Sequence, residues 1–167
     1  MGCKCESVGA AAAEHLITQG CERIAHVGPS AKRRLGVEWA LAERHLRLEP
    51  GLNMKTKKFS YQSGTNAALR LLASGKAFDG VVTQSDQQSL ALVNVLTSMG
   101  KSVPSDVRVI GVDDSPICHL CPISLSSVSQ QFEERGQMAV DLLLKMIGGE
   151  TCESVEFEPV VRHRHSS

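Results

Sequence analysis

The segment from residue 80 to residue 114, GVVTQSDQQSLALVNVLTSMGKSVPSDVRVIGVDD, constrains the fold more than any other part of the chain. It has the pattern of a buried strand followed by Asp86, an amphipathic helix, and a second buried strand that ends in Asp113 and Asp114. In open α/β sheets, ligands bind in the crevice outside the carboxyl ends of parallel strands. The segment therefore predicts a small-molecule binding site near these carboxylates, and it leaves open whether a reaction is catalysed there.

Apolar segments with strand spacing alternate with amphipathic helices along the rest of the chain as well. Near-continuous apolar strands separated by helices are typical of a parallel sheet that is buried on both faces. The sequence therefore predicts an α/β fold, a parallel open sheet with helices on both faces. The predicted helices cover residues 9–19, 31–47, 63–74, 87–99 and 132–147, and the predicted strands cover residues 23–27, 56–60, 78–83, 107–112, 124–128 and 155–161.

Length, charge and hydropathy narrow the class of protein. A chain of 167 residues suits one domain with a sizeable core. Lys plus Arg number 18, as do Asp plus Glu, and the basic clusters at residues 32–34 and 55–58 lack interleaved aromatics, so nucleic-acid binding is weakly supported. No apolar run approaches the ~18 residues that span a bilayer, and the N-terminus lacks the apolar core of a signal peptide. The expected location is the cytoplasm, with no membrane partner.

Six cysteines raise the question of a metal site. Cys3 with Cys5 and Cys118 with Cys121 form two closely spaced pairs, as a zinc site with four thiolates requires. However, the first pair has a single residue between its members and lies near the N-terminus, and the second lies in a Pro-bounded loop without the strand-to-helix context of a redox motif. Free thiols are therefore the favoured interpretation, and no metal or cofactor is expected.

Asp86 and the Asp113–Asp114 pair each allow a structural and a functional interpretation. Asp86 stands at a strand end and at the predicted N-cap of a helix, so it either caps that helix or accepts hydrogen bonds from a ligand, and the residues alone make these equal alternatives. The acidic pair could bind Mg²⁺, but the chain lacks the early acidic pair and the late Lys of a receiver domain. A turn with one solvated carboxylate is favoured, and a ligand-facing role for one Asp is the lesser alternative.

Arg33 stands where the predicted first strand gives way to a helix, in GPSAKRRLG. The segment lacks the second Gly and the Gly-Lys-Ser/Thr ending of a phosphate loop, so no nucleotide site is indicated. A guanidinium there could fork onto ligand carboxylate or hydroxyl oxygens, but the neighbouring Lys32 and Arg34 favour a solvated charge. The chain has no GxSxG or HExxH motif and no His cluster, so its residues give no support for an enzyme.

Six motifs occur in an order that resembles the lac repressor/galactose repressor (LacI/GalR) family of transcriptional regulators. They are GAAAAEHLITQGCERIAHVG, RRLGVEWAL, SGTNAALRLL, the segment at residues 80–114, LSSVSQQFEERGQMAVDLL and PVVRHRHS, and they cover nearly the whole chain. The resemblance implies an effector-binding core of the type I periplasmic-binding-protein-like fold, with two α/β lobes around a cleft. In that family, a sugar, nucleoside or purine in the cleft alters the operator affinity of an N-terminal helix-turn-helix.

The resemblance also implies roles for three residues. Arg33 of RRLG matches an arginine that grips ligand hydroxyls or carboxylates, Asp86 of SDQQ matches an aspartate that accepts from the ligand, and Phe59 of KKFSYQSG matches an aromatic ring that stacks on it. A ring with polar groups beside it suits a sugar or a base, which has an apolar face and a polar edge. Asp113 and Asp114 match a strand end whose role in the family is mostly structural.

The chain departs from the family pattern in its extent. It has no helix-turn-helix, no hinge helix and no first half of the effector core, so DNA contact is expected only through a helix-turn-helix that this sequence does not contain. Residues 5–129 and 150–167 match the C-terminal lobe, and residues 130–149 match the helix that crosses to the other lobe. The apolar face of that helix is expected to be exposed or covered by another chain, and a homodimer is expected. The loop at residues 28–33 is shorter than is usual in the family.

The resemblance leads to one expected function and two alternatives. The expected function is an effector-binding module of a LacI/GalR-type regulator that senses a sugar-like or nucleoside-like small molecule. A transport-type sugar-binding protein shares the fold but requires a signal peptide or lipobox. An enzyme that uses Asp86 and Asp113 as an acid/base or metal pair is less favoured, because half a cleft does not close a site to water.

Overall fold

The fold is a six-stranded sheet with helices on both faces, and the computed structural model describes residues 3–167. In chain order the elements are α1 Cys5–Thr18, β1 Ile24–Gly28, α2 Ala31–Glu43, a 3-10 turn Pro50–Leu52, β2 Asn53–Lys55, α3 Tyr61–Ala73, β3 Gly80–Thr83, α4 Asp86–Ser98, β4 Arg108–Val112, α5 Ile117–Leu120, β5 Ser126–Ser129, α6 Phe132–Ile147 and β6 Val160–Arg162. The strands lie in the order β2-β1-β3-β4-β5-β6. All neighbours pair in parallel except β6, which runs antiparallel to β5.

Two hydrophobic cores lie on opposite faces of the sheet. Leu16 of α1 and Leu41 of α2 belong to the core on one face, together with Ile110 of β4. Leu71 of α3 belongs to the core on the other face, together with Val109, the residue before Ile110. Successive strand residues point to opposite faces, so β1, β3 and β4 each contribute to both cores. The predicted fold class is confirmed, and the apolar strand runs are explained by burial on both sides.

Three elements have boundaries that differ from the sequence prediction. α2 ends at Glu43, four residues early, because His45 has a left-handed φ of 59° that stops the helix. β2 precedes residues 56–60, and the predicted strand at those positions is a loop. β6 is limited to three residues. Each difference lies in a segment where polar residues leave the hydrophobic period weak.

α6 lies apart from both cores, and none of its residues is buried by the described part of the chain. Its exposed apolar side chains are Phe132, Val140, Leu143, Leu144, Met146 and Ile147. Exposed apolar side chains on one helix are typical of an interaction surface. Among the residues that the structure describes, no helix is long and apolar enough to cross a membrane.

Two glycines set the distance between α1 and α2. A side chain at Gly36 would overlap the backbone carbonyl oxygen of Glu6, and a side chain at Gly9 would overlap the backbone carbonyl oxygen of Arg33. The two helix backbones therefore touch, and only residues without a Cβ atom fit at the contact. Because Arg33 lies in the first turn of α2, the same contact fixes the position from which its side chain projects.

We expect Gly36→Ala to lower the free energy of unfolding by about 3 kcal/mol, because α1 and α2 must move apart to admit the methyl group. Urea denaturation measures the change. The matched control is Gly136→Ala in α6, where a new Cβ meets no atom within 4 Å. This control should gain about 0.5–1 kcal/mol from helix propensity. Equal effects of the two substitutions would contradict the proposed close contact.

Candidate functional site

A cleft lies at the carboxyl ends of β2, β3 and β4, where the parallel sheet brings the loops after these strands to one edge. Its volume is about 400 Å³. The residues that line it are Lys58, Phe59, Ser60, Ser85, Asp86, Gln87, Asp113 and Ser115. Two of the three predicted ligand residues, Phe59 and Asp86, are thus in the cleft wall, and the third, Arg33, contacts Phe59. This is the position at which open α/β sheets bind ligands.

Gln84, the residue after β3, ties the loop that follows β1 to the end of β3. Its side-chain Oε1 accepts from the Ser30 N–H at 2.7 Å, and its Nε2 donates to the Ser30 carbonyl at 2.8 Å. The same Nε2 lies 2.7 Å from Nε2 of His26 in the neighbouring strand. Gly28 allows this arrangement, because a Cβ atom there would overlap the Gln84 side chain at 2.3 Å from its Cγ and Cδ. Gln84 is 1 % exposed, so these bonds are shielded from water.

Arg33 is held in place rather than left as a free solvated charge. Its Nη1 donates to the backbone carbonyl of Gln84 at 2.8 Å. Its guanidinium carbon lies 5.6 Å from the centroid of the Phe59 ring, within the range of a cation–π interaction. The hydroxyl of Ser30 caps α2 by accepting from the Arg33 N–H. The structure therefore places Arg33 beside Phe59, whereas the contact of each residue with a ligand stays a prediction.

Phe59 is an exposed ring on an anchored backbone. Its side chain is solvent-accessible, with the residue 45 % exposed. Its carbonyl accepts from the Ser85 hydroxyl at 2.6 Å, which links the loop after β2 to the start of α4. An aromatic face that is fixed and open to water offers a stacking surface at little cost in conformational entropy.

The interpretation of Asp86 as a helix cap is wrong, because Ser85 caps α4. The Asp86 carboxylate instead accepts three hydrogen bonds from two serines. Its Oδ2 accepts from the backbone N–H and the hydroxyl of Ser115 at 2.7 and 2.8 Å, and its Oδ1 accepts from the Ser127 hydroxyl at 2.6 Å. Gly111 of β4 makes room for this carboxylate, since a Cβ atom there would lie 2.5 Å from Oδ1.

Burial raises the pKa of Asp86, and the hydrogen bonds from Ser127 and Ser115 oppose that shift. The carboxylate therefore joins the loop after β4 to β5 in the wall of the cleft. Its role as a direct acceptor for a ligand stays a prediction. The observed contacts favour a positioning role, because protein donors already occupy both carboxylate oxygens.

The two residues of the Asp113–Asp114 pair face different surroundings. Asp114 accepts from Arg164 at 2.7 Å and also lies near Arg162, so it joins the loop to the chain after β6. Asp113 lines the cleft, and its Oδ1 accepts from the side-chain amide of Gln130 at 2.7 Å. Its φ of 107° is unusual for a residue with a side chain and turns it out of the strand direction. Asp113 is thus a candidate ligand residue that the sequence interpretation placed in the scaffold.

The cysteine pairs show no metal geometry. Within residues 3–167, no group of three or more potential metal-ligating side chains comes together. Cys118 is buried in α5, and Cys121 is half-buried at its end. Burial raises the pKa of both thiols, and the Asp86 carboxylate raises them further, so they hold their protons at neutral pH.

Comparisons with known proteins find one family across most of the chain. A family model described as a periplasmic binding protein-like domain matches residues 13–167. The HTH-type transcriptional regulator CelR of Thermobifida fusca is 34 % identical over 152 residues, which are 88 % of this chain and 45 % of CelR. The ribose operon repressor of Escherichia coli (strain K12) is 28 % identical over 167 residues, 95 % of this chain and 50 % of the repressor. The chain therefore spans about half the length of the curated relatives it matches.

Solved structures agree with the sequence relatives. The structure of the CelR–cellobiose complex has a TM-score of 0.89 at 31 % identity and covers 99 % of this chain and 53 % of its own. The Escherichia coli transcriptional repressor ascG has a TM-score of 0.91 at 27 % identity and covers 99 % of this chain and 62 % of its own. The fold is thus shared with proteins whose chains extend further.

We expect Gln84→Ala to lower the free energy of unfolding by about 3 kcal/mol, because it removes the partner of the Ser30 N–H and of His26 Nε2. The Ser30 carbonyl then keeps only its bond from the Arg34 N–H, and the His26 ring keeps only its bond to Asn53. Urea denaturation gives the value. Gln87→Ala, three residues along and exposed, removes the same side chain and should stay within about 0.5 kcal/mol of the original protein. Equal stability of the two variants would contradict the role of Gln84 in holding the loop after β1 against the end of β3.

His26 should make the protein less stable in mild acid. Burial lowers the pKa of His26 to about 4, with the hydrogen bond to Asn53 opposing the shift. An unfolded chain takes up this proton near pH 6.5 and the folded chain near pH 4, so stability falls as the pH drops through that range. Between pH 7 and pH 5 we expect a loss of about 2 kcal/mol from this residue.

The test compares the change in unfolding free energy between pH 7 and pH 5 in His26→Gln and in the original protein. His26→Gln should lose the dependence assigned to His26, whatever its stability at pH 7. The control is His45→Asn, since His45 is exposed and Asn tolerates its left-handed backbone. This variant should keep the pH dependence of the original protein. An unchanged pH dependence in His26→Gln would contradict the assignment. The raised pKa of Asp86 acts in the opposite direction but is common to all three proteins, so it cancels.

Proposed function

The chain belongs to the periplasmic binding protein-like domain family, its relatives are LacI-family transcriptional regulators, and on this premise we propose that it is the effector-binding module of such a regulator and senses a sugar. Membership of the LacI/GalR family, predicted from the sequence motifs, is confirmed by these relatives. The relatives are regulators rather than enzymes.

The contact between Arg33 and Phe59 at the mouth of the cleft carries the proposal. A sugar ring has an apolar face of C–H groups that stacks on an aromatic side chain, and hydroxyls that bond to the charged and polar groups around it. Phe59 supplies the stacking face, and Arg33 supplies donors beside it. Asp113 and Ser115 supply acceptors on the opposite side of the same cleft. Asp86 contributes by holding Ser115 in place.

A sugar is preferred over a nucleoside or purine as the effector. Cellobiose is bound in the solved CelR complex, which is 31 % identical to this chain, and several relatives are ribose operon repressors. The cleft offers one aromatic ring, Phe59, with polar groups on both sides. That arrangement matches a ring edged with hydroxyls along its whole perimeter.

We propose that the cleft is one wall of a two-lobed site. Residues 5–129 and 150–167 form the C-terminal lobe, and residues 130–149 cross to a second lobe that covers the apolar face of α6. The exposure of that face and the length of the relatives, about twice that of this chain, support the arrangement. We further propose that the regulator acts in the cytoplasm as a homodimer and contacts DNA through a helix-turn-helix outside this sequence. A transport-type binding protein is less supported, because the relatives are regulators.

The proposal is tested by NMR titration of the ¹⁵N-labelled chain with cellobiose, ribose, glucose and adenosine. At least one sugar should shift the amide signals of Phe59, Ser85 and Asp113 together. Arg33→Ala and Phe59→Ala should each weaken that binding by about tenfold, as expected for the loss of a charged donor or a stacking ring.

Arg44→Ala serves as the matched control, because it removes an exposed arginine from the far end of α2. It should bind the sugar as the original protein does. A panel in which no sugar shifts the cleft signals, or equal binding by Arg33→Ala and Arg44→Ala, would contradict the proposed site.

A further inference from the structure

A second depression, lined mainly by basic and hydroxyl side chains, adjoins the cleft on the side of β2 and α3. Its volume is about 440 Å³. Arg70 Nη1 donates to the Lys55 carbonyl at 3.4 Å, and the walls of the depression include both of these residues together with Lys57 and Lys58. The walls contain no Asp or Glu, and α3 has no acidic residue along its length. The depression therefore concentrates four positive charges on a chain whose net charge is zero.

None of these four cations forms an ion pair with a carboxylate in the described residues. The ion pairs of residues 3–167 involve other cations, namely Lys4, Arg23, Arg34, Lys76, Arg162 and Arg164. Clustered like charges repel one another, and an anion bound among them removes that cost. The electrostatics of the depression thus favour a ligand that carries more than one negative charge.

The backbone that presents the lysines is anchored before any ligand arrives. The Lys58 carbonyl accepts from three side chains, the Ser63 hydroxyl at 2.7 Å, the Gln88 amide at 3.0 Å and the Thr56 hydroxyl at 3.0 Å. Gln88 is fully buried, so this loop is tied to the interior. A loop with a fixed backbone loses less conformational entropy when its side chains close on an anion.

Lys58 and Ser60 line both the basic depression and the cleft, so the two share a wall. We propose that the depression binds a phosphate group, and that the effector of this protein is a phosphorylated sugar whose ring stacks on Phe59 while its phosphate lies among Lys55, Lys58 and Arg70. A phosphate monoester carries a charge of about −1.5 to −2 at neutral pH and accepts up to several charge-assisted hydrogen bonds. The sugar half of this inference rests on the proposed function, whereas the phosphate half does not.

Binding is measured by isothermal titration with three probes, ribose, ribose 5-phosphate and inorganic phosphate. The original protein should bind ribose 5-phosphate at least about tenfold more tightly than ribose, because ionised partners strengthen each hydrogen bond. Inorganic phosphate alone should bind and should compete with the phosphate ester. Added salt should weaken binding of both phosphates and leave ribose unaffected.

The decisive variant is Lys55→Ala combined with Arg70→Ala, since neither residue lines the cleft. It should lose the tenfold preference and the binding of inorganic phosphate but keep the affinity for ribose. Arg70→Lys should retain most of the preference. The matched control, Arg44→Ala combined with Lys101→Ala, removes two cations outside both depressions and should behave as the original protein.

Each outcome separates this inference from the proposed function. If ribose binds and its phosphate ester binds no better, the inference is overturned and the sugar site stands. If inorganic phosphate binds in a Lys55- and Arg70-dependent way while no sugar binds, the phosphate site stands and the proposed function fails. If the preference survives in Lys55→Ala/Arg70→Ala, the phosphate lies elsewhere and the inference is overturned.

Discussion

Gln84 joins the sheet to the cleft, and the geometry of the candidate site depends on it. The Gln84 side chain bonds to the N–H and the carbonyl of Ser30 and to the ring of His26, and the backbone carbonyl of Gln84 accepts from Arg33 Nη1. A backbone N–H and C=O that turn away from a strand end need partners when they are buried. Gln84 is the partner of these groups in Ser30, and its backbone carbonyl also sets where the Arg33 side chain lies. The stability of the loop after β1 and the position of Arg33 beside Phe59 therefore both depend on Gln84.

A buried carboxylate has the corresponding role on the other side of the cleft. Asp86 loses water on burial, and three donors from Ser115 and Ser127 offset that cost. The donors come from the loop after β4 and from β5, so the carboxylate, which follows β3, links these three parts of the sheet. The proposed ligand surface then consists of the solvent-accessible residues beside this network, among them Phe59 and Asp113. Because the hydrogen bonds of this buried network form within the protein, they set the shape of the cleft before a ligand binds.

The sequence predicted those parts of the structure that depend on periodicity, and the resemblance drew attention to Arg33 and Phe59, which lie side by side in the structure. Burial on both faces leaves continuous apolar strands, so the sheet was visible in the hydrophobic pattern. The direction of the Asp86 carboxylate could not be predicted from the hydrophobic pattern, because its partner Ser127 lies 41 residues away along the chain. Gln84 had no signal either, since a glutamine after a strand is ordinary in sequence. From the sequence, the cluster at residues 55–58 suggested only a possible nucleic-acid contact, which was weakly supported. Its proximity to Arg70 arises from the fold and is not evident from the sequence.

The cleft and the basic depression differ in charge, so the two ends of the combined site are electrostatically different. Asp113 lies on one side of the cleft, and Lys58 lies on the wall shared with the basic depression. A neutral sugar experiences little of this field, because its hydroxyl dipoles reorient at small cost. A ligand with an anionic end is repelled from Asp113 and attracted towards Lys58, so the field adds an orientation to the stacking on Phe59. Stacking alone allows a ring to rotate in its plane and to turn over. Because a charge gradient removes that freedom, the two depressions together distinguish the ends of a ligand where the cleft by itself distinguishes its faces.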